Sequence, residues 1–265
     1  MYAERPPASG LTGRITCEWL RTGDTSGPPA PGAAPSGPPA SGSPITPEQR
    51  GGGRVLVVPD GCVDLIWGDE GPFVAGPDTG PMPTSIRAGE TMVGLRFKPG
   101  AVGAFFGVPL ADLLDRRVPL ADLPGGHAFL RELTDGPAGT AGERLHAMRA
   151  AVRRRLLVPH LGYDADQGLD PVAPAIATAL SQGKTVSEVA WSLGFSERQL
   201  QRRSVSAFGY APKTLQRIVR FQQALRLART GLPLAQVAAT AGYTDQAHMA
   251  NDVRRLSGGP MSHLL

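Results

Sequence analysis

A chain of 265 residues can bury one or two ordinary cores, so two domains are the first expectation. Its two cysteines, Cys17 and Cys62, are too few for a disulfide-built scaffold and fit a reducing compartment. The formal charge of +4 is unevenly spread: residues 181–265 carry 11 Lys/Arg against 4 Asp/Glu, net +7, and the remainder is net −3. A basic surplus confined to one region is what contact with a polyanion requires. Of the 27 basic residues 24 are Arg, which suits bidentate contacts to phosphate and guanine; a GC-rich genome produces the same bias.

Met1-Tyr2-Ala3-Glu4-Arg5-Pro6 lacks the basic-then-apolar order of a signal peptide. The longest apolar stretch, from Ala101 to Leu114, is broken by Asp112 and too short to span a bilayer. The expectation is a soluble cytoplasmic protein with no membrane partner.

In chain order, Arg14–Leu20 can form a strand. Residues 22–53 are almost all Gly, Pro, Ser, Ala and Thr, with too little apolar surface to offset the entropy of ordering, and are expected to be a disordered insertion. Strand-like segments follow at Arg54–Val58, Cys62–Trp67, Pro72–Ala75 and Met92–Phe97, punctuated by Gly and Pro. After Pro99 the period changes, and Ala101, Phe105, Phe106, Leu110, Leu113 and Leu114 fit short helices. Residues 141–157 give a stronger helix, with Leu145, Met148, Ala151, Val152 and Leu156 on one face. Residues 159–169 read as a linker.

A second unit begins near Asp170, which can cap a helix with Pro171 at its first position. Pro212 to Arg229 can form one long helix ending at Gly231, with Leu215, Ile218, Phe221, Leu225 and Ala228 as its apolar stripe. The expected fold class is therefore α+β and multidomain. A β-rich domain over 1–158 (a small barrel or curved sheet with helices) precedes an all-α domain over 170–265.

Either side of the long helix the same short pattern occurs twice. Val189-Ala190-Trp191-Ser192-Leu193-Gly194-Phe195-Ser196 is matched 48 residues later by Val237-Ala238-Ala239-Thr240-Ala241-Gly242-Tyr243-Thr244. Each copy is a short apolar helix, a Gly for a tight turn, an aromatic and a hydroxyl residue able to cap the next helix. That is the pattern of a helix-turn-helix, and each copy runs into a polar second helix.

Two helix-turn-helix motifs joined by a long helix resemble the DNA-binding domain of the AraC/XylS family of bacterial transcription regulators, over roughly 171–265. The resemblance rests on Val189-Ala190, Gly194-Phe195-Ser196, Arg198-Gln199-Leu200-Gln201-Arg202-Arg203, Phe208-Gly209-Tyr210-Ala211-Pro212-Lys213 and Gly242-Tyr243-Thr244-Asp245-Gln246-Ala247-His248-Met249. It departs at Ser204 and Val253, where the family usually carries Phe, and at Asn251, where it often carries Arg. Phe208 and Trp191 are the candidates to replace the missing core bulk, and the first motif is the better candidate for base reading. Pro59-Asp60-Gly61-Cys62-Val63-Asp64-Leu65-Ile66-Trp67 and Gly94-Leu95-Arg96-Phe97-Lys98-Pro99-Gly100 resemble a segment found ahead of this domain in many actinobacterial regulators. The resemblance implies promoter DNA and RNA polymerase as partners and control by a small-molecule effector. It leaves open a homodimer, the effector's identity and the sign of regulation.

On the first recognition helix Arg198, Gln201 and Arg202 share a face, where Arg can pair with guanine and Gln with adenine. Gln246, Ala247 and Asn251 are the counterparts in the second motif. Ser196, Lys213, Arg217, Arg220 and Thr244 are assigned to phosphates, which position a protein without reading sequence. A rigid connecting helix would set the two heads about 34 Å apart, on successive major-groove turns.

In the first domain Cys62, Trp67, Phe73, Arg96 and Phe97 are candidate pocket residues, although core packing explains the aromatic ones equally well. Cys62 can also be read as a thiol or redox sensor, or more simply as a small buried hydrophobe. A purely dimerising first domain is the remaining alternative. Catalysis has little support. Asp60 sits in a Pro-Asp-Gly turn that explains its presence, the five histidines lack metal-ligand spacing, and Gly76-Pro77-Asp78-Thr79-Gly80 is a turn cluster rather than a phosphate loop. Two cysteines also exclude a methyl-accepting cysteine cluster of the kind used in DNA repair. No cofactor and no metal are expected.

Overall fold

The computed structural model describes residues 1–23, 54–103, 105–157 and 169–265. The Gly/Pro-rich insertion from residue 24 onward, and the linker up to residue 168, lie outside the described residues. Six strands form one antiparallel sheet: β1 (Tyr2–Arg5), β2 (Ile15–Thr22), β7 (Thr91–Phe97), β4 (Val63–Gly68), β5 (Gly71–Ala75) and β8 (Arg117–Pro119), in that spatial order. The remaining two, β3 (Arg54–Val57) and β6 (Met82–Ser85), pair with each other as a separate ribbon.

Side chains alternate across the large sheet. Val63, Leu65 and Trp67 of β4, with Val93, Leu95 and Phe97 of β7, share one core with Phe129 and Leu133 of α1 (Gly126–Thr134) and Leu145, Met148 and Val152 of α2 (Ala141–Leu157). Glu18 of β2, on that same face, is 2% exposed and held by Arg149 of α2 and the Ala8 N–H. Cys17, Trp19, Ile66, Phe73, Ala75 and Met92 face the other way as a second, smaller cluster. There the Trp19 ring lies over Gly94, where a Cβ would come 2.2 Å from the indole; the strand needs glycine at that position.

The helices expected between Ala101 and Leu114 reduce to turns and one 3-10 turn, Leu110–Leu113, because Gly103, Gly107 and Pro109 interrupt the apolar spacing. Sequence reading also passed over β1, β6, β8 and α1.

Six helices build the second unit: α3 (Ala173–Ser181), α4 (Val186–Ser192), α5 (Glu197–Phe208), α6 (Pro212–Arg229), α7 (Leu234–Thr240) and α8 (Gln246–Ser257). They enclose a single core that includes Leu200, Phe208, Leu215, Phe221, Val237, Met249 and Val253. α3 begins two residues after the expected Pro171, since Asp170 accepts from the Val172 N–H in a turn ahead of the helix. Trp191 is 86% exposed and is no core anchor; Phe208 is, and Ser204 is buried with its hydroxyl donating to the Tyr210 carbonyl.

The two units are in contact. The Tyr210 hydroxyl donates to the Asp78 carbonyl at 2.6 Å, and Gln222 Nε2 to the Pro59 carbonyl at 2.6 Å. Val58 and Leu114 of the first unit pack on the helical core, and Pro81 and Leu56 approach Gly258 at the end of α8.

Candidate nucleic-acid interface

Each helix-turn-helix is assembled by caps and a left-handed glycine. Thr185 starts α4 with a capping box to Glu188; Leu193 ends it, and Gly194 turns the chain at φ +72°. Ser196 then caps α5, accepting from the Gln199 N–H while Gln199 reaches back to the Ser196 N–H. With Leu200, Ser204, Ala207 and Phe208 turned inward, Arg198, Gln201 and Arg202 are left exposed together on the outer face. Arg203 is not among them: it pairs with Asp170 at 2.8 Å and lies over the Phe195 ring at 4.6 Å.

The second motif repeats the turn at Gly242, φ +79°, but its recognition helix is capped by Asp245, whose carboxylate accepts from the His248 N–H at 2.7 Å. Thr244, assigned as the capping hydroxyl and phosphate contact, is therefore one residue outside the cap. The longer turn shifts the repeat to 49 residues along the recognition helices, so Met249 and Val253 take the inward places of Leu200 and Ser204. Ala247 and Asn251 then stand where Arg198 and Arg202 stand, and with Gln246 they are exposed. Arg254 and Arg255, also exposed on α8, were not singled out from sequence. Their spacing from Asn251, three and four residues, was the available signal.

Lys213 is exposed at the start of α6. Arg217 and Arg220 both pair with Asp252 of α8, at 3.4 and 3.6 Å, and Arg220 also stacks on Tyr243 at 4.6 Å. These pairs tie the connecting helix to the second motif. Burial is the leading reason the Tyr243 hydroxyl is pushed up to about 12.

In the first unit a cavity of about 490 Å³ lies between the sheet and the β3–β6 ribbon. Cys62, Phe73 and Arg96 line it, with Trp19, Asp64, Ile66 and Met92, which sequence reading did not place there. Trp67 and Phe97 do not: being odd-numbered on β4 and β7, they point to the opposite face and its core. Arg96 faces Asp64 at 3.2 Å, Asp60 at 3.6 Å and Glu4 at 3.7 Å, and Trp19 Nε1 donates to Asp64 at 2.7 Å. Burial pushes Asp64 up, against the pull of Arg96. Burial, then the Asp60 and Asp64 charges, also pushes the Cys62 thiol well up. Among the described residues, no cluster of His, Cys, Asp and Glu could hold a metal ion, and no helix is long and apolar enough to cross a membrane.

Residues 189–265 match the family described as a helix-turn-helix domain, and residues 45–119 match a domain of unknown function, DUF6597. Among solved structures, the chain is similar to the C-terminal domain of AraT, a response regulator from Geobacillus stearothermophilus, at 22% identity. That match covers 36% of this chain and 84% of that one, with a TM-score of 0.34. ToxT from Vibrio cholerae O395 is similar at 8% identity, over 80% of this chain and 94% of that one, with a TM-score of 0.41. No curated protein matches the chain. The chain therefore carries a DUF6597 domain followed by a C-terminal helix-turn-helix domain, a type of domain that binds DNA.

Proposed function

We propose that the protein recognises specific promoter sequences, with residues 170–265 as the DNA-binding unit, 1–158 as the regulatory unit and 159–169 joining them. The observation that carries this is the exposed trio Arg198, Gln201 and Arg202 on a capped recognition helix, backed by a second such helix on the same core. Promoter DNA and RNA polymerase are the partners in this reading. Selection of bound duplexes from a random library, followed by salt titration on the winner, tests it. A shared sequence block should emerge, and log affinity should fall linearly with log salt, about 0.9 per neutralised phosphate on duplex DNA. No enrichment over random DNA would refute sequence recognition.

Effector control is the finer part of the proposal, and two features support it. The cavity is large enough for a small molecule. Its walls also touch the DNA-binding unit: Asp60 and Asp78 line the cavity, while the Pro59 and Asp78 carbonyls accept from Gln222 and Tyr210. A ligand that fits one disposition of these walls better than another shifts the populations by that difference. Thiol sensing through Cys62 is disfavoured, since its raised pKa suppresses the reactive thiolate at neutral pH.

A further inference from the structure

We propose that the cavity binds a small organic cation, an amine or quaternary ammonium carried on an apolar body. This rests on the effector-control reading and names the class of ligand.

The cavity has an apolar floor and roof and one polar end. Trp19, Ile66, Phe73 and Met92 rise from the sheet, and Val57 and Met82 close over them from the ribbon. Such walls take an apolar or aromatic body and exclude bulk water around it. At the polar end a single guanidinium, Arg96, meets the carboxylates of Asp64 at 3.2 Å and Asp60 at 3.6 Å, while Glu4, half-exposed and outside the cavity lining, reaches it at 3.7 Å. That corner carries more negative than positive charge. Burial alone would lower Arg96; the carboxylates overcome it and hold the group above its ordinary value.

The other cations on the wall do not reverse this field. Arg117 is closed off in a two-pronged pair with Asp78, both bonds 2.8 Å. Arg21 lies opposite Met92 in the sheet while Arg96 lies opposite Cys17. That separation is four residues along the strand, about 13 Å. An anionic head entering the polar end would meet two carboxylates against one guanidinium. A cationic head supplies the missing charge and can also lie near the Trp19 indole, whose ring face attracts cations.

Three probes of matched shape test this on the full chain: phenethylammonium, neutral 2-phenylethanol and anionic 3-phenylpropionate, by calorimetric titration and thermal shift. Phenethylammonium is expected to bind and stabilise, with the alcohol weaker and the carboxylate silent. Asp64→Asn and Asp60→Asn should each weaken the cation by about tenfold. Circular dichroism checks that each variant folds, and either variant suffices if the other does not. Equal or tighter binding of the carboxylate or the alcohol, an unchanged cation affinity in the folded variants, or no response to millimolar cation overturns the proposal. DNA affinity is measured in parallel. A cation that binds yet leaves DNA affinity unchanged would instead remove effector control and leave the ligand class standing.

Discussion

At the scale of single residues, side chains that look alike in sequence divide into exposed ones and ones committed to the fold. Arg202 and Gln201 are exposed on the outer face of α5, whereas Arg217 and Arg220 are committed to Asp252. Arg202→Ala and Gln201→Ala should therefore each cost about 1–3 kcal/mol on the preferred duplex and relax the base preference there. Arg217→Ala should chiefly lower thermal stability and loosen the second motif, with Asp252 left short of a partner. Binding isotherms on specific and random duplexes, set beside melting curves, separate the two behaviours. If Arg217→Ala leaves the melting temperature untouched and weakens every duplex equally, its assignment to the fold is wrong.

Glu18 and Arg149 make a second residue-scale case, this time for stability. Burial opposes the Glu18 charge, but the hydrogen bonds from Arg149 and the Ala8 N–H outweigh it and hold the carboxyl below its usual range. A carboxylate with a lowered folded pKa contributes stability above its unfolded value of about 4.3, and that contribution is lost as pH falls through the folded value. Arg149→Ala should cost about 2–3 kcal/mol at neutral pH, less than a fully buried pair because Arg149 is 29% exposed. The difference between variant and wild type should shrink in acid. Denaturant titrations at neutral and acid pH check both statements.

At the scale of elements, caps and alternation explain most of what forms. Asp245→Ala should remove the α8 cap and cost about 1 kcal/mol, while Thr244→Ala should cost far less; thermal denaturation of both variants decides between the two caps. The aligned repeat pointed to Thr244, because the match runs evenly through Gly242 and Tyr243 and only then admits one extra residue. Long, strongly patterned elements were legible: α2 and α6 have the bounds expected of them, and β4 and β7 show their alternation openly. Short ones were not. β1 is four exposed residues, β6 contains Pro83, and β8 is three residues long, so each owes its conformation to a neighbour rather than to its own pattern. The cavity was half legible for the same reason. Phe97 and Arg96 are adjacent in sequence, yet a strand sends them to opposite faces, and only the parity of the whole strand tells which is which.

At the scale of the whole molecule, the contact between the units is part of the fold rather than a loose tether. Tyr210 and Gln222 give hydrogen bonds to the first unit, and Val58 and Leu114 extend the helical core across the boundary. Tyr210→Phe should lower the stability of the full chain by about 1 kcal/mol, through the orphaned Asp78 carbonyl, and leave a 166–265 fragment almost unchanged. Melting curves of the four proteins check this double difference. Equal effects in the chain and the fragment would place the Tyr210 contribution inside the helical unit.

The extra residue before α8 has a consequence for the sites that the DNA recognition proposed for this protein would select. Because Ala247 and Asn251 occupy the stations that Arg198 and Arg202 hold on α5, the two recognition helices present different chemistry at equivalent positions. Its binding sites should then be lopsided words: a demanding block rich in guanine contacts and, about one helical turn away, a permissive block that tolerates spelling changes. A promoter scan for tandem or mirrored half-sites would pass over such words, whereas a scan anchored on one block alone would find them.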